Sequence, residues 1–181
     1  MVIVMEKIKQ VIAVMLMVCS APMAWATAEV DNYRLGSGDR IEITVYAEPE
    51  LSQSVLISSS GMFDYPYLGN ISAKGKTVRQ LQAVITDGLR GDYLVNPKVM
   101  VNVIEYRKIY VNGEVKQPGG YIFQPGLTVE KAIALAGGFT DRAARKKINI
   151  TPNENGMTQK GVALHTSVAP GDIIVIEQSF F

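Results

Sequence analysis

The chain of 181 residues carries 18 Lys and Arg against 17 Asp and Glu, one His, one Cys and 48% hydrophobic residues, which excludes the disordered and collagen-like classes and gives a globular chain with a modest core. One His and one Cys cannot build a multi-His or multi-Cys metal centre, and they leave little for a His-dependent nucleophilic site. No catalytic residue, metal or cofactor is therefore expected.

Residues 1–26 have the form of a secretory leader. Lys7 and Lys9 give a basic start, Val11–Val18 an apolar run, and Ala24-Trp25-Ala26 a cleavage signal. The run falls short of the roughly 20 apolar residues that span a bilayer, which weighs against a retained membrane helix. Met5 is as good a start as Met1, because the charges follow it directly. Cleavage removes Glu6, Lys7 and Lys9 together with Cys19 and Trp25, the only Cys and Trp. The exported chain is then formally neutral and has no disulfide despite an oxidising destination. Leu16-Met17-Val18-Cys19 offers the competing reading of a lipid anchor, weakened by Val18 where a small residue belongs. Neutrality and export together argue against nucleic acid as a partner, since phosphate binding needs a concentrated positive surface.

From Val30 onward short strands alternate with one helix per half, without a flexible linker. After the Gly36-Ser37-Gly38-Asp39 turn, Ile41, Ile43 and Val45 alternate with polar residues as in a half-buried strand. Thr77 and Gln80 make a capping box for a helix whose stripe is Val78, Leu81, Val84, Ile85 and Leu89. Asn96-Pro97 then precedes the alternating Val99, Val101 and Val103.

The second half opens with Ile109 and Val111, turns at Asn112-Gly113, and turns again at Gln117-Pro118-Gly119-Gly120 before Tyr121-Ile122-Phe123. Thr128 caps a shorter helix that faces inward with Val129, Ala132, Ile133 and Ala136 and stops at Gly137-Gly138. Ile173–Ile176 is too continuously apolar for an exposed strand and is expected at the centre of a sheet. Gly38-Asp39 and Gly171-Asp172 each precede an Ile-rich strand, an echo that recurring turn chemistry explains without a repeat. The expected fold class is α+β, with two small sheet-plus-helix domains directly abutted at residues 30–105 and 106–181. Units of this size bury too little surface to be strongly stable alone.

Several strings in this order resemble the outer-membrane polysaccharide export family. YRLGSGDRIEITVY (Tyr33 to Tyr46), Pro49-Glu50-Leu51, YPYLGNISAKGKTV (Tyr65 to Val78) and NPKVMVNV (Asn96 to Val103) are similar to its polysaccharide export domain. VNGEVKQPGGYIF (Val111 to Phe123) and TVEKAIALAGGFTDRA (Thr128 to Ala143) are similar to its soluble-ligand-binding β-grasp domain. Ser60-Gly61 stands where the family often has Asp-Gly. Longer members continue into a second β-grasp repeat and a C-terminal amphipathic helix that lines an outer-membrane pore, so this chain reads as a short member.

The resemblance implies a periplasmic protein associated with the outer membrane. It implies a homo-oligomeric ring, often an octamer, that passes polysaccharide from an inner-membrane co-polymerase to a separate outer-membrane barrel protein. The rival reading is a soluble periplasmic protein that binds a small ligand through its β-grasp half. A polysaccharide-trimming enzyme is disfavoured, because Glu48 and Glu50 lie in a Pro-containing loop without a supporting scaffold.

The candidates for polymer or subunit contact are Tyr65 and Tyr67, whose rings could meet sugars or pack around a turn, and Arg142, Arg145, Lys146 and Lys147, which form a solvated basic face, a subunit contact or an attractor for acidic polymer. His165 has no paired carboxylate near it in sequence and is expected to be a structural or surface histidine.

Overall fold

The computed structural model describes residues 33–153 and 156–179. The leader, its cleavage signal, Cys19 and Phe180-Phe181 lie outside the described residues. In the first half the alternation at Ile41, Ile43 and Val45 becomes β1 (Arg40–Val45), which buries those three side chains and exposes Glu42 and Thr44. It is the centre of an antiparallel sheet between β2 (Gln53–Leu56) and β5 (Val99–Glu105). A single 3-10 turn, Pro49–Leu51, reverses the chain between β1 and β2 and places Leu51 in the core. β3 (Met62–Tyr65) and β4 (Gly69–Ser72) pair as a separate hairpin.

Helix α1 (Val78–Leu89) starts at the expected capping box. The Thr77 hydroxyl accepts from the Gln80 N–H at 3.2 Å, and Gln80 Oε1 accepts from the Thr77 N–H at 2.9 Å. Its buried row is Leu81, Ile85 and Leu89, with Val78 partly covered. Val84 departs from the expected stripe and is exposed. A single i, i+4, i+8 row fills the contact here, and Val84 stands one step off it.

The second half forms one four-stranded sheet from β6 (Lys108–Gly113), β7 (Gly119–Ile122), β8 (Ala143–Thr151) and β9 (Ile173–Gln178), in the order β7-β6-β9-β8. The central strands β6 and β9 run parallel and the outer pairs antiparallel, with α2 (Val129–Leu135) crossing between the hairpin and β8. This is a β-grasp arrangement. Thr128 caps α2 by accepting from the Lys131 N–H, and the Gly138 N–H closes the far end on the Ile133 carbonyl at 2.9 Å.

Three local expectations change. Asn112-Gly113 does not turn the chain but finishes β6, where Gly113 has φ +86° and a Cβ would run into the Ile176 carbonyl oxygen. Gly119 and Gly120 lie in β7 rather than in the turn, and the Tyr110 ring covers the bare backbone of Gly120. β9 is central as expected, yet only Ile174 and Ile176 are buried, because α2 covers one face and leaves Ile173 on the open one.

Each half has its own hydrophobic core, one spanning Leu35 to Val101 and the other Ile109 to Ile176. The connection between β5 and β6 is only Tyr106-Arg107, and both side chains hold the halves together. The Tyr106 ring meets Tyr33 edge-on at 5.0 Å and Phe123 edge-on at 5.4 Å, so three rings run from one core toward the other. Arg107 pairs with Asp39 at 3.2 Å, and the Asp39 side chain is 0% exposed.

Four donors satisfy the Asp39 carboxylate. They are the Tyr33 hydroxyl at 2.6 Å, the N–H groups of Gly36 and Arg107, both at 2.8 Å, and Arg107 Nη1. Arg107 Nε donates to the Pro170 carbonyl at 3.0 Å. Removing one partner of a buried pair strands the other charge. Arg107→Ala is therefore expected to lower unfolding free energy in urea by about 3–5 kcal/mol. Arg107→Lys should recover only part of it, because an ammonium cannot reproduce the guanidinium fork.

Candidate functional site

The two groups of candidate residues lie in different halves. Tyr65 and Tyr67 flank the tip of the β3–β4 hairpin, and the basic residues lie at the start of β8.

At the hairpin the two tyrosines have opposite fates. Tyr65 is 3% exposed and its hydroxyl donates to the Leu51 carbonyl at 2.7 Å, which fixes it as a core residue. Tyr67 is 64% exposed. Its backbone belongs to a tight turn, closed by the Leu68 N–H on the Tyr65 carbonyl at 3.2 Å. Pro66 occupies the second position of that turn, and Tyr67 at the third has φ +64°. Proline there with a positive φ after it defines a type II turn, whose third position normally takes glycine. An L-residue with a side chain costs roughly 1–2 kcal/mol in that conformation.

Tyr67 stacks on Tyr93 from the loop after α1, with ring centroids 4.9 Å apart and an interplanar angle of 33°, and the Tyr93 hydroxyl donates to the Tyr67 carbonyl at 3.3 Å. Tyr93 was not legible in the sequence, where it is one aromatic residue in a polar loop and is 26 positions from its partner.

Arg145, Lys146 and Lys147 sit on a bulge in the edge strand β8, and Arg142 immediately precedes that strand. Ala143 pairs with Gln178 and Ile148 with Ile176, so the residues between Ala143 and Ile148 outnumber those opposite them and loop out of the ladder. Beyond the bulge, Ile148 and Ile150 are covered on their outer side by backbone bonds to Val162 and Gln159. Arg145, Lys146 and Lys147 lie on the bulged stretch before those bonds. Charges at an open sheet edge oppose strand addition by another chain.

Arg142 and Arg145 make contacts within the chain. Arg142 donates to the Gln178 side-chain oxygen and its carbonyl accepts from the Ser179 N–H at 2.7 Å. Arg145 lies over the Phe139 ring at 5.4 Å. His165 is exposed, as is Glu50. Among the described residues no group of three or more His, Cys, Asp or Glu is placed to hold a metal ion, and no helix is long and apolar enough to cross a membrane.

Comparison with known proteins gives the context for these surfaces. Residues 27–104 match the family described as polysaccharide biosynthesis/export protein, and residues 108–160 match the SLBB domain. These two matched domains, in this order, fit the polysaccharide export family. Tyr106 and Arg107 fall between the two matched segments. The chain is 32% identical, over 67% of its length and 33% of the relative's, to the exopolysaccharide production protein ExoF of Rhizobium meliloti. It is 30% identical, over 83% of its length and 49% of the relative's, to the EPS I polysaccharide export outer membrane protein EpsA of Ralstonia nicotianae. It is 22% identical, over 80% of its length and 28% of the relative's, to the polysialic acid transport protein KpsD of Escherichia coli. The chain thus spans half or less of the length of these relatives, which are named for export and production rather than for an enzymatic reaction.

Burial gives the phenols at these positions a distinct titration. It raises the Tyr65 phenol to about 12 and raises those of Tyr33 and Tyr106 above the ordinary tyrosine value, with the Asp39 hydrogen bond adding to the effect at Tyr33 and the Asp39 charge at Tyr106. A raised folded-state value means that these groups contribute stability in full below about pH 10, and that it is lost as pH climbs through the folded values. Phenolate absorbance should show a late group of tyrosines whose ionisation coincides with unfolding. Tyr65→Phe should remove one of them and cost about 1–3 kcal/mol, because the Leu51 carbonyl is left buried without its donor.

Proposed function

We propose that this protein is a non-enzymatic component of a polysaccharide export translocon in the periplasm, at the outer membrane. It forms a ring through which polymer passes from an inner-membrane co-polymerase to an outer-membrane pore supplied by a separate barrel protein. The observation that carries the reading is the order of the two family matches along one chain, an export module followed directly by an SLBB module. The names of its relatives, which refer to exopolysaccharide, EPS I polysaccharide and polysialic acid, support polysaccharide as the cargo.

The domain division at residues 30–105 and 106–181 belongs to the same proposal, with Tyr106-Arg107 as its fixed joint. The bulge at Arg145, Lys146 and Lys147 is the surface we assign to contact with a neighbouring subunit or acidic polymer. Its range is short, since the Debye length is about 8 Å at physiological ionic strength.

Deleting the gene is expected to strand polymer inside the cell envelope, measured as loss of surface polysaccharide with accumulation in the periplasm, and the wild-type gene should restore it. Unchanged surface polymer in the deletion strain would sink the proposal. In the complemented strain, joint charge reversal at Arg145, Lys146 and Lys147 should reduce export or ring assembly while leaving the unfolding midpoint nearly unchanged, because exposed charges contribute little to monomer stability but steer partners. His165→Ala should export normally, since nothing in this mechanism transfers a proton through histidine.

A further inference from the structure

The stacked pair Tyr67 and Tyr93 is the feature of the surface that the fold itself least explains. A second turn in the chain shows the cost most directly. Ala169-Pro170-Gly171-Asp172 is closed by the Asp172 N–H on the Ala169 carbonyl at 3.2 Å, with Gly171 at φ +90°. Tyr65-Pro66-Tyr67-Leu68 is the same type II turn with the same closure distance, but tyrosine occupies the glycine position. Burial does not compensate for the strain at Tyr67, which is 64% exposed, as is 46% of Tyr93. Val95, two residues further along the same loop, is 95% exposed. Strained backbone that presents a side chain outward is a property of contact sites rather than of cores.

We propose that Tyr67 and Tyr93 form a carbohydrate-stacking platform that receives the apolar face of a pyranose ring. The proposal rests on the export reading and names the site at which the chain touches its polymer. The chemistry fits this occupant. The face of an aromatic ring is electronegative and attracts the polarised C–H bonds of a sugar face. With centroids 4.9 Å apart and planes 33° from parallel, each ring backs one face of the other, so a sugar is received on an outward ring face that its neighbour holds in place, without enclosure. The Tyr93 hydroxyl, bonded to the Tyr67 carbonyl, holds the second ring in register with the strained turn. An open platform of this kind binds weakly and reversibly, as a moving polymer requires.

Chemical-shift titration of the purified chain with cellohexaose, whose equatorial hydroxyls leave the ring faces apolar, is expected to move the Tyr67 and Tyr93 ring resonances saturably, with a millimolar Kd. Tyr67→Gly should raise that Kd about fivefold or more while the urea midpoint stays the same or rises, because glycine relieves the turn. Tyr67→Phe should keep the affinity within about twofold. Ring resonances indifferent to cellohexaose, or equal affinity in Tyr67→Gly, would overturn the platform. Resonances that move with phosphatidylglycerol vesicles and not with the sugar would overturn it in favour of membrane contact. Failure of the export reading is seen separately: a gene deletion that leaves surface polymer unchanged defeats that reading. A deletion that blocks export but is fully rescued by a chain carrying Tyr67→Gly and Tyr93→Ala defeats only the platform.

Discussion

The guanidinium of Arg107 is held between two turns of the same design, one from each half of the chain, and the arrangement of the two cores follows from that contact. In the first turn the Asp39 N–H donates to the Gly36 carbonyl at 3.2 Å, and the Asp39 carboxylate accepts from the Gly36 N–H at 2.8 Å. In the second, the Asp172 N–H donates to the Ala169 carbonyl at 3.2 Å, and the Asp172 carboxylate accepts from the Ala169 N–H at 2.8 Å. Arg107 takes its anion from the first turn and a carbonyl from the second. Gly36 and Gly171 are the residues that let it in: a Cβ on Gly36 would run into the guanidinium, and one on Gly171 would lie 2.9 Å from Arg107 Nε. Gly36 thus serves close approach, and Gly171, at φ +90°, serves close approach as well as turn geometry.

This contact limits how the halves can move. A connection of two residues could act as a hinge if their side chains were free, but Tyr106 lies between two rings and Arg107 between two turns. Rotation about the joint would expose the Asp39 carboxylate only after breaking its pairing, and would separate the aromatic edges at the same time. The desolvation of a buried ion makes partial opening costly, because an intermediate geometry leaves a charge without water and without its partner. The joint accordingly resists bending between the two modules. For the path-lining role proposed above, such a joint would be an advantage, since the spacing between contact surfaces would stay fixed while the cargo moves.

Where the sequence was legible, the signal was local. β1, the capping box of α1 and the inward face of α2 each depend on residues within a turn or two of one another, and each appears where periodicity and cap chemistry place it. The Gly-Asp echo was visible as well, but not its purpose, because Asp39 and Arg107 are 68 positions apart and only the folded chain brings them together. β8 escaped because its bulge interrupts the alternation at Arg145–Lys147, so the strand carries no period until Ile148. Asn112-Gly113 carries a hairpin signal that a parallel partner overrode: β9 approaches so closely that only glycine fits, which from sequence alone is the same observation as a turn. At the hairpin tip, Tyr65 and Tyr67 looked equivalent two residues apart, and their separation into a core ring and a surface ring comes from the turn between them.

The two surfaces assigned to function share a physical character that follows from the task. Tyr67 and Tyr93 present ring faces without walls, and Arg145–Lys147 present charge on a bulged edge without a pocket. Neither encloses a ligand, so neither can supply the large desolvated area that tight binding needs. For an enzyme or a scavenging receptor this would be a defect. For the conduit proposed here it is a requirement, because each contact must break as the next forms, and a site that held one sugar unit strongly would stall every unit behind it. In the ring proposed above, the same weak contact would recur on every subunit. The summed attraction can then keep the polymer inside the assembly while the free energy of each single contact remains small enough to be lost at every step. On that proposal the Arg107 joint would fix where those weak contacts stand, so that their spacing rather than their individual strength would guide the polymer.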